Sequence, residues 1–381
     1  MTDVQPPAIV RVGVPSTITP EHLQQRRECG ESFPIVDRES CTFAHHGEII
    51  GVRLVHFGVG LTDDLAFEQL GDSDWWVLPL AVPSGSRIEY KLEVVDSFGT
   101  HLIPDPLNRN EAANPFGVNS VCAAHGYAEP AWTQYDDAVP TGRLVEWVSE
   151  SAALARASRA CVYLPASFTD EPETPYPMLI VLDGGDYLRY ASAATVLDNL
   201  IHRGDLPPIV AAFSDPGERL VEYADDPRHH RHLIDELVPG LEAQFPLAAN
   251  PAGRCVMGSS FGAVASLAVA RSAPGFFGRL LLQSGSFAGA GAGCRSRPER
   301  LWRPVRDFVR AFLAEPAPVA ERVFVTCGTY ESLICENRAF VSVLAATGMN
   351  VRFVENLDGH TWVCWRDGLG EALPWLFTRA V

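Results

Sequence analysis

Arg254-Cys255-Val256-Met257-Gly258-Ser259-Ser260-Phe261-Gly262-Ala263-Val264-Ala265-Ser266-Leu267-Ala268 is the stretch on which the fold turns. Its first four residues read as a short apolar strand and its last six as a helix. Between them, Gly258-Ser259-Ser260-Phe261-Gly262 fits the pattern G-x-S-x-G. The flanking glycines let strand and helix approach closely while the backbone passes through a tight turn. The serine at its tip, Ser260, then presents its Oγ above the end of a sheet, at the start of a helix. Five residues of this kind recur by chance, so the weight rests on the strand before and the helix after.

Outward from this turn the rhythm is regular. Met178–Leu182, Ile209–Phe213, Leu280–Leu282, Val323–Thr326 and Val351–Val354 are bare apolar runs. Val145–Val148 and Ala160–Leu164 also read as strands. Helical stretches fall between them at 191–202, 228–245, 263–272, 301–313 and 335–347. Short apolar strands alternating with helices predict a mostly parallel sheet covered on both faces. With the serine turn, that is the α/β-hydrolase fold, an α/β class assignment for residues 141–381. Upstream the pattern differs. Ile49–Phe57, Trp75–Leu80 and Arg87–Val95 are closely spaced strands, with Pro83-Ser84-Gly85-Ser86 as a turn. They predict a small N-terminal β-sandwich domain over residues 1–140. Residues 1–45 read as mixed, with a helix start at Thr19-Pro20-Glu21-His22 capped by Thr17 or Thr19. Residues 100–140 read as loop-rich, ending in a linker near 136–143.

Composition narrows the function classes. The chain has 381 residues, a net charge of −17 and no block of Lys or Arg, which argues against nucleic acid or an anionic membrane as partner. No stretch approaches the roughly 20 apolar residues of a membrane helix. Met1–Pro7 lacks the basic start and apolar run of a signal peptide. The nine cysteines include no CxxC pair, and Cys161, Cys255 and Cys327 sit in strand-like runs. Buried, reduced thiols and a cytoplasmic location are the expectation.

A serine hydroxyl needs a base, and in this fold the chain order is Ser, acid, His. His360 is the only histidine after Ser260, in a loop following the last strand-like run. The acid must lie between them. Glu331 directly follows the strand end at Cys327-Gly328-Thr329-Tyr330 and is preferred, with Glu336 and Asp358 as rivals. The oxyanion donors are expected to be the amide of Phe261 and one from Leu182-Asp183-Gly184-Gly185-Asp186-Tyr187, Gly185 first and Asp186 next. His229-His230-Arg231-His232 lacks metal-ligand spacing and reads as a helix face, so neither metal nor cofactor is expected. Trp362 and Trp365 flank the base and serve equally well as substrate platforms or as packing.

These residues resemble the enterochelin (ferric enterobactin) esterases, within the wider esterase-D and antigen-85-like group. The resemblance rests on Leu182-Asp183-Gly184, Gly258–Gly262, Leu282-Gln283-Ser284-Gly285-Ser286-Phe287, Cys327–Glu331 and the run from Asp358 to Arg366. In that last run the family carries Gly-Gly-His and then Cys-Trp-Arg-Gly-Gly-Leu; here Asp358 and Asp367 each stand where the family has Gly. The match covers roughly residues 140–381, and the family's N-terminal sandwich fits residues 47–140 more loosely, through Asp105-Pro106-Leu107-Asn108. It implies cleavage of a cyclic tris-catecholate trilactone in the cytoplasm, with Ser260 and His360 as the catalytic pair and Glu331 as the acid. A ferric catecholate is strongly anionic, so cations should surround its site. The candidates are Arg189, Arg219, Arg228, Arg231 and Arg366, with Arg219 alternatively pairing Glu222. Two other readings stay open: another acyl hydrolase or acyltransferase of the same group, and a non-catalytic binding protein on the same scaffold.

Overall fold

The computed structural model describes residues 9–56, 65–290 and 299–378; the segment Met1–Pro7, read above for a targeting signal, lies outside them. The chain packs into two compact units. The first runs to Ala128 and also takes in Gly328–Glu331 and Asn356–Thr361; the second holds Glu129–Cys327, Ser332–Glu355 and Trp362–Val381.

The first unit is built from β1 (Val10–Arg11), α1 (Pro20–Glu28), β2 (Ile35–Val36), β3 (Ser40–His46), β4 (Gly51–Val55), β5 (Glu68–Gln69), β6 (Trp75–Ala81), β7 (Arg87–Asp96), β8 (Gly99–Ile103), β9 (Glu111–Asn114) and β10 (Gly117–Ala123). Thr19 caps α1, accepting from the His22 amide, with Pro20 in the first turn. One sheet has the order β1-β6-β3-β2 with β5 on β6; the other has β4-β7-β10-β9 with β8 on β7. Their inner faces share one core, in which Phe43, Leu78 and Leu80 meet Tyr90, Leu92 and Val94. This is the expected sandwich. The reading of residues 100–140 as loop misses three strands, β8 to β10. They are short and rich in Gly, Ala and Asn, and pairing with the long alternating strand β7 and with one another holds them in place of propensity. Asp105 is a buried hub: its carboxylate accepts from the Tyr90 hydroxyl at 2.6 Å, and its amide donates to Ser120 Oγ.

The second unit contains β11 (Arg143–Ser151), β12 (Arg156–Leu164), β13 (Met178–Leu182), α2 (Gly184–Tyr190), α3 (Ala193–His202), β14 (Val210–Ser214), α4 (Arg219–Glu222), α5 (Pro227–Arg231), α6 (Val238–Gln244), β15 (Arg254–Ser259), α7 (Phe261–Ser272), β16 (Arg279–Gln283), α8 (Glu299–Ala314), β17 (Arg322–Gly328), α9 (Ile334–Ala346), β18 (Asn350–Asn356) and α10 (Trp362–Phe377). Its eight strands run in the order β11-β12-β14-β13-β15-β16-β17-β18. From β14 to β17 they are parallel, whereas β11 and β12 form an antiparallel hairpin at one edge. Alternate residues of β13 serve opposite faces. Met178, Ile180 and Leu182 join the core under α6 to α9, and Leu179 and Val181 join the core under α2, α3 and α10. That two-sided burial is why these strands are unbroken apolar runs. Two expected helices are interrupted. The stretch 191–202 loses its first residues because Ser192 turns left-handed at φ 45°, separating α2 from α3. The stretch 228–245 is α5 and α6 joined by a π-helical segment, His232–Leu237.

Candidate active site

Ser260 sits where β15 turns into α7, at φ 56° and ψ −117°. A side chain there is strained by about 1–3 kcal/mol, and such strain persists only where neighbours hold it. They do. The Ser260 amide donates to the Gln283 carbonyl, and its carbonyl accepts from the Ser286 amide. The two glycines of the pentapeptide are in mutual contact: a Cβ on Gly258 would lie 2.5 Å from the Gly262 carbonyl carbon. The Ser260 hydroxyl is partly exposed between two buried neighbours and lies 3.2 Å from the hydroxyl of Ser286. Phe261 is the first residue of α7, so its amide has no acceptor within the helix.

His360 and Glu331 meet in the first unit. His360 Nδ1 lies 2.5 Å from Glu331 Oε2, and the other carboxylate oxygen accepts from the Gly328 amide at 2.6 Å. Glu331 is buried, whereas His360 keeps part of its ring open. A buried carboxylate on Nδ1 sets the tautomer and leaves Nε2 to work. The rivals fall elsewhere. Glu336 lies within α9, and Asp358 directs its carboxylate to Arg87 and to the Gly359 amide.

The loop after β13 differs from expectation. Asp183 is left-handed at φ 57° and is held by Arg219, whose Nε and Nη2 donate to its two oxygens at 2.8 and 2.7 Å. The guanidinium lies over the rings of Tyr223 and Phe261. Glu222 pairs with Arg156 instead and accepts from the Gly217 and Glu218 amides. The expected second oxyanion donor is engaged, since the Gly185 amide donates to Asp215 Oδ1 at 2.9 Å. The start of α2 attracts a carboxylate as any helix N-terminus does, and Asp215 supplies it. Burial pushes the Asp186 and Asp215 carboxyls up, and the charge of Asp183 adds to that in both.

The proposed substrate contacts separate into two kinds. Trp365 is buried, donates from Nε1 to Ser284 Oγ and packs edge-on against Trp362; it is core. Arg366 is tied to Glu129 and Asp367. Trp362 remains partly exposed beside Tyr187 and Tyr190. Arg189 is exposed, lies over the Tyr190 ring and has no ion pair among the described residues. Arg228 is paired with Asp226. Sequence reasoning missed Ser286, Asp215 and Arg87; only Ser286 carried a signal, in the run Gln283–Phe287. The histidines of 229–232 are buried against Tyr223, Ser158 and Glu236.

A family model described as "Putative esterase" matches residues 151–376. The iron(III) enterobactin esterase of Dickeya dadantii (strain 3937) is 31% identical over 83% of this chain and 80% of its own. The chain belongs to the enterobactin esterase family. It is a carboxylic ester hydrolase. The crystal structure of the ferric enterobactin esterase of Salmonella typhimurium superposes with a TM-score of 0.74 over 93% of this chain and 98% of that one, at 20% identity. The Shigella flexneri enterobactin esterase, solved in the presence of enterobactin, gives 0.69 over 90% and 94%, at 21% identity. At that identity the structures establish the shared fold. Among the described residues, no helix of this esterase is long and apolar enough to cross a membrane.

Proposed function

We propose that this esterase hydrolyses the ester bonds of an enterobactin-like catecholate trilactone in the cytoplasm, releasing its iron, with Ser260, His360 and Glu331 as its catalytic residues. Two observations support the chemistry: the 2.5 Å bond from His360 Nδ1 to the buried Glu331, and the strained turn that holds Ser260. The substrate rests on the relative from Dickeya dadantii that bears the name. His360 takes the Ser260 proton as Oγ attacks the ester carbonyl. The amide of Phe261 stabilises the tetrahedral oxyanion, and the Gly185 amide joins it when Asp215 gives way. His360 then protonates the leaving alkoxide. Water, deprotonated by the same ring, releases the acyl group and restores the serine. Arg189, with Tyr190 and Trp362, offers a cation and aromatic faces suited to an anionic catechol. The buried thiols Cys41, Cys122 and Cys255 form no disulfide among the described residues, which suits a reducing compartment.

The test compares iron-loaded trilactone, iron-free trilactone and p-nitrophenyl butyrate as substrates for the wild type and for Ser260→Ala. The expected result is trilactone turnover in the wild type and loss of all three activities in the variant. Absence of trilactone turnover would remove the siderophore reading, and unchanged rates in Ser260→Ala would remove the nucleophile.

A further inference from the structure

The loop that carries His360 begins with a carboxylate, Asp358, two residues before the base. Asp358 is buried, and a buried carboxylate without a partner is costly. Its partner is Arg87, the first residue of β7, itself 4% exposed. Arg87 Nη1 donates to Asp358 Oδ2 at 3.2 Å and to Thr361 Oγ1 at 3.4 Å, so one guanidinium nitrogen touches the chain on both sides of His360. Its Nη2 donates to Glu89 Oε1 at 2.8 Å, and the other Glu89 oxygen accepts from Asn119 Nδ2. The guanidinium is therefore anchored from the sheet as well as from the loop.

Backbone bonds repeat the connection. The Arg87 amide donates to the Leu357 carbonyl at 2.9 Å, and the Asp358 carbonyl accepts from the Tyr330 amide at 3.0 Å, next to Glu331. The hydroxyl of Tyr330 bonds Ser86, the neighbour of Arg87, at 2.7 Å. Asp358 Oδ1 accepts from the Gly359 amide at 2.6 Å, which stiffens the turn into His360. Ser86 and Arg87, where the chain enters β7, thus hold the neighbours of both the acid and the base. Burial pushes the Asp358 carboxyl up to about 7, and the charge of Arg87 is the chief force opposing that.

We propose that Arg87 is a positioning residue for the reaction, fixing the backbone on either side of His360 through Asp358 and Thr361. The inference rests on His360 being the base, as proposed above. Arg87 holds the Asp358 side chain, while Glu331 orients the imidazole. Misplacement of a catalytic group by about 1 Å costs on the order of 100-fold in rate.

The experiment uses the full chain with p-nitrophenyl butyrate and compares Arg87→Gln, Arg87→Lys, Asp358→Asn and the Arg87→Gln/Asp358→Asn double variant. Arg87→Gln is expected to lower kcat roughly 10- to 100-fold with KM within about twofold, because positioning acts on the chemical step. Arg87→Lys should recover part of the loss. The double variant should be no slower than Arg87→Gln, since both changes cut the same connection. Unchanged kcat in folded Arg87→Gln, or losses that multiply in the double variant, would overturn the proposal. Should Arg87→Gln fail to fold, Arg87→Lys carries the test: reduced kcat at constant KM supports it and unchanged kcat overturns it. Ser260→Ala and His360→Ala are measured alongside. If they stay active, the catalytic reading itself fails; if they are dead while the Arg87 variants are unimpaired, only the positioning role fails.

Discussion

Ser260 combines two demands that oppose each other, an accessible, partly exposed hydroxyl and a backbone conformation that suits glycine. The strain it stores is removable without touching its neighbours. Ser260→Gly is expected to abolish hydrolysis and to raise stability by about 1 kcal/mol, read as an increase in melting temperature. A fall in melting temperature would mean that the hydroxyl, through Ser286, contributes more than the turn costs. Glu331 is argued at the same scale. Glu331→Gln keeps the shape but can offer Nδ1 an N–H and stabilise the wrong tautomer. Steady-state kinetics should then show kcat lower by on the order of 10⁴, with KM little changed. A loss below tenfold would demote Glu331 from the catalytic set.

At the scale of elements, the elbow brings a strand into contact with the helix that follows it. Gly258 is the penultimate residue of β15 and Gly262 the second of α7, and no side chain fits between them. Gly258→Ala forces a methyl group to within 2.5 Å of the Gly262 carbonyl carbon and is expected to destabilise the fold by about 1–3 kcal/mol. Urea unfolding measures this, and an unchanged midpoint would show that the turn has slack. The strands themselves were legible because both faces of the large sheet are buried, which writes each strand as an apolar run. The sandwich strands β8 to β10 were not, because their residues are small or polar and their order comes from β7. The break at Ser192 was also invisible, since a left-handed serine leaves no mark in a periodicity.

At the scale of the whole molecule, buried imidazoles make the fold sensitive to acid. Burial lowers His229 from 6.5 to about 3, with the charges of His230 and His232 adding to it, and lowers His56 to about 4. His45, His230 and His232 are lowered as well, chiefly by burial. A folded state that holds histidine neutral competes with an unfolded chain that takes up a proton below about 6.5. The stability these histidines contribute is therefore complete above that pH and is lost as the pH drops towards 3. The melting temperature should decline steadily over this window. His229→Phe should flatten the decline and leave stability at pH 8 nearly unchanged, because His229 Nδ1 is buried with no hydrogen-bond partner among the described residues and its ring already packs on Tyr223. An acid limb as steep as that of the wild type would place the proton uptake elsewhere.

The amino-acid sequence by itself determined the alternation of strand and helix, the elbow at Ser260, the single downstream histidine and the preference for Glu331. All of these are local patterns or orderings along one chain. It could not determine which charges are free. Arg219, Arg366 and Arg228 looked like candidates for an anionic ligand, and the tertiary structure gives each a carboxylate partner: Asp183, Glu129 with Asp367, and Asp226. It likewise gives the Gly185 amide to Asp215, Trp365 to the core, and Arg87 to Asp358, 271 positions away in the sequence, in the loop of His360. An ion pair or a buried ring is decided by which side chains arrive at the same place, and chain separation carries no record of that. Local turns are written in the residues that make them; pairings across the chain come only with the folded packing.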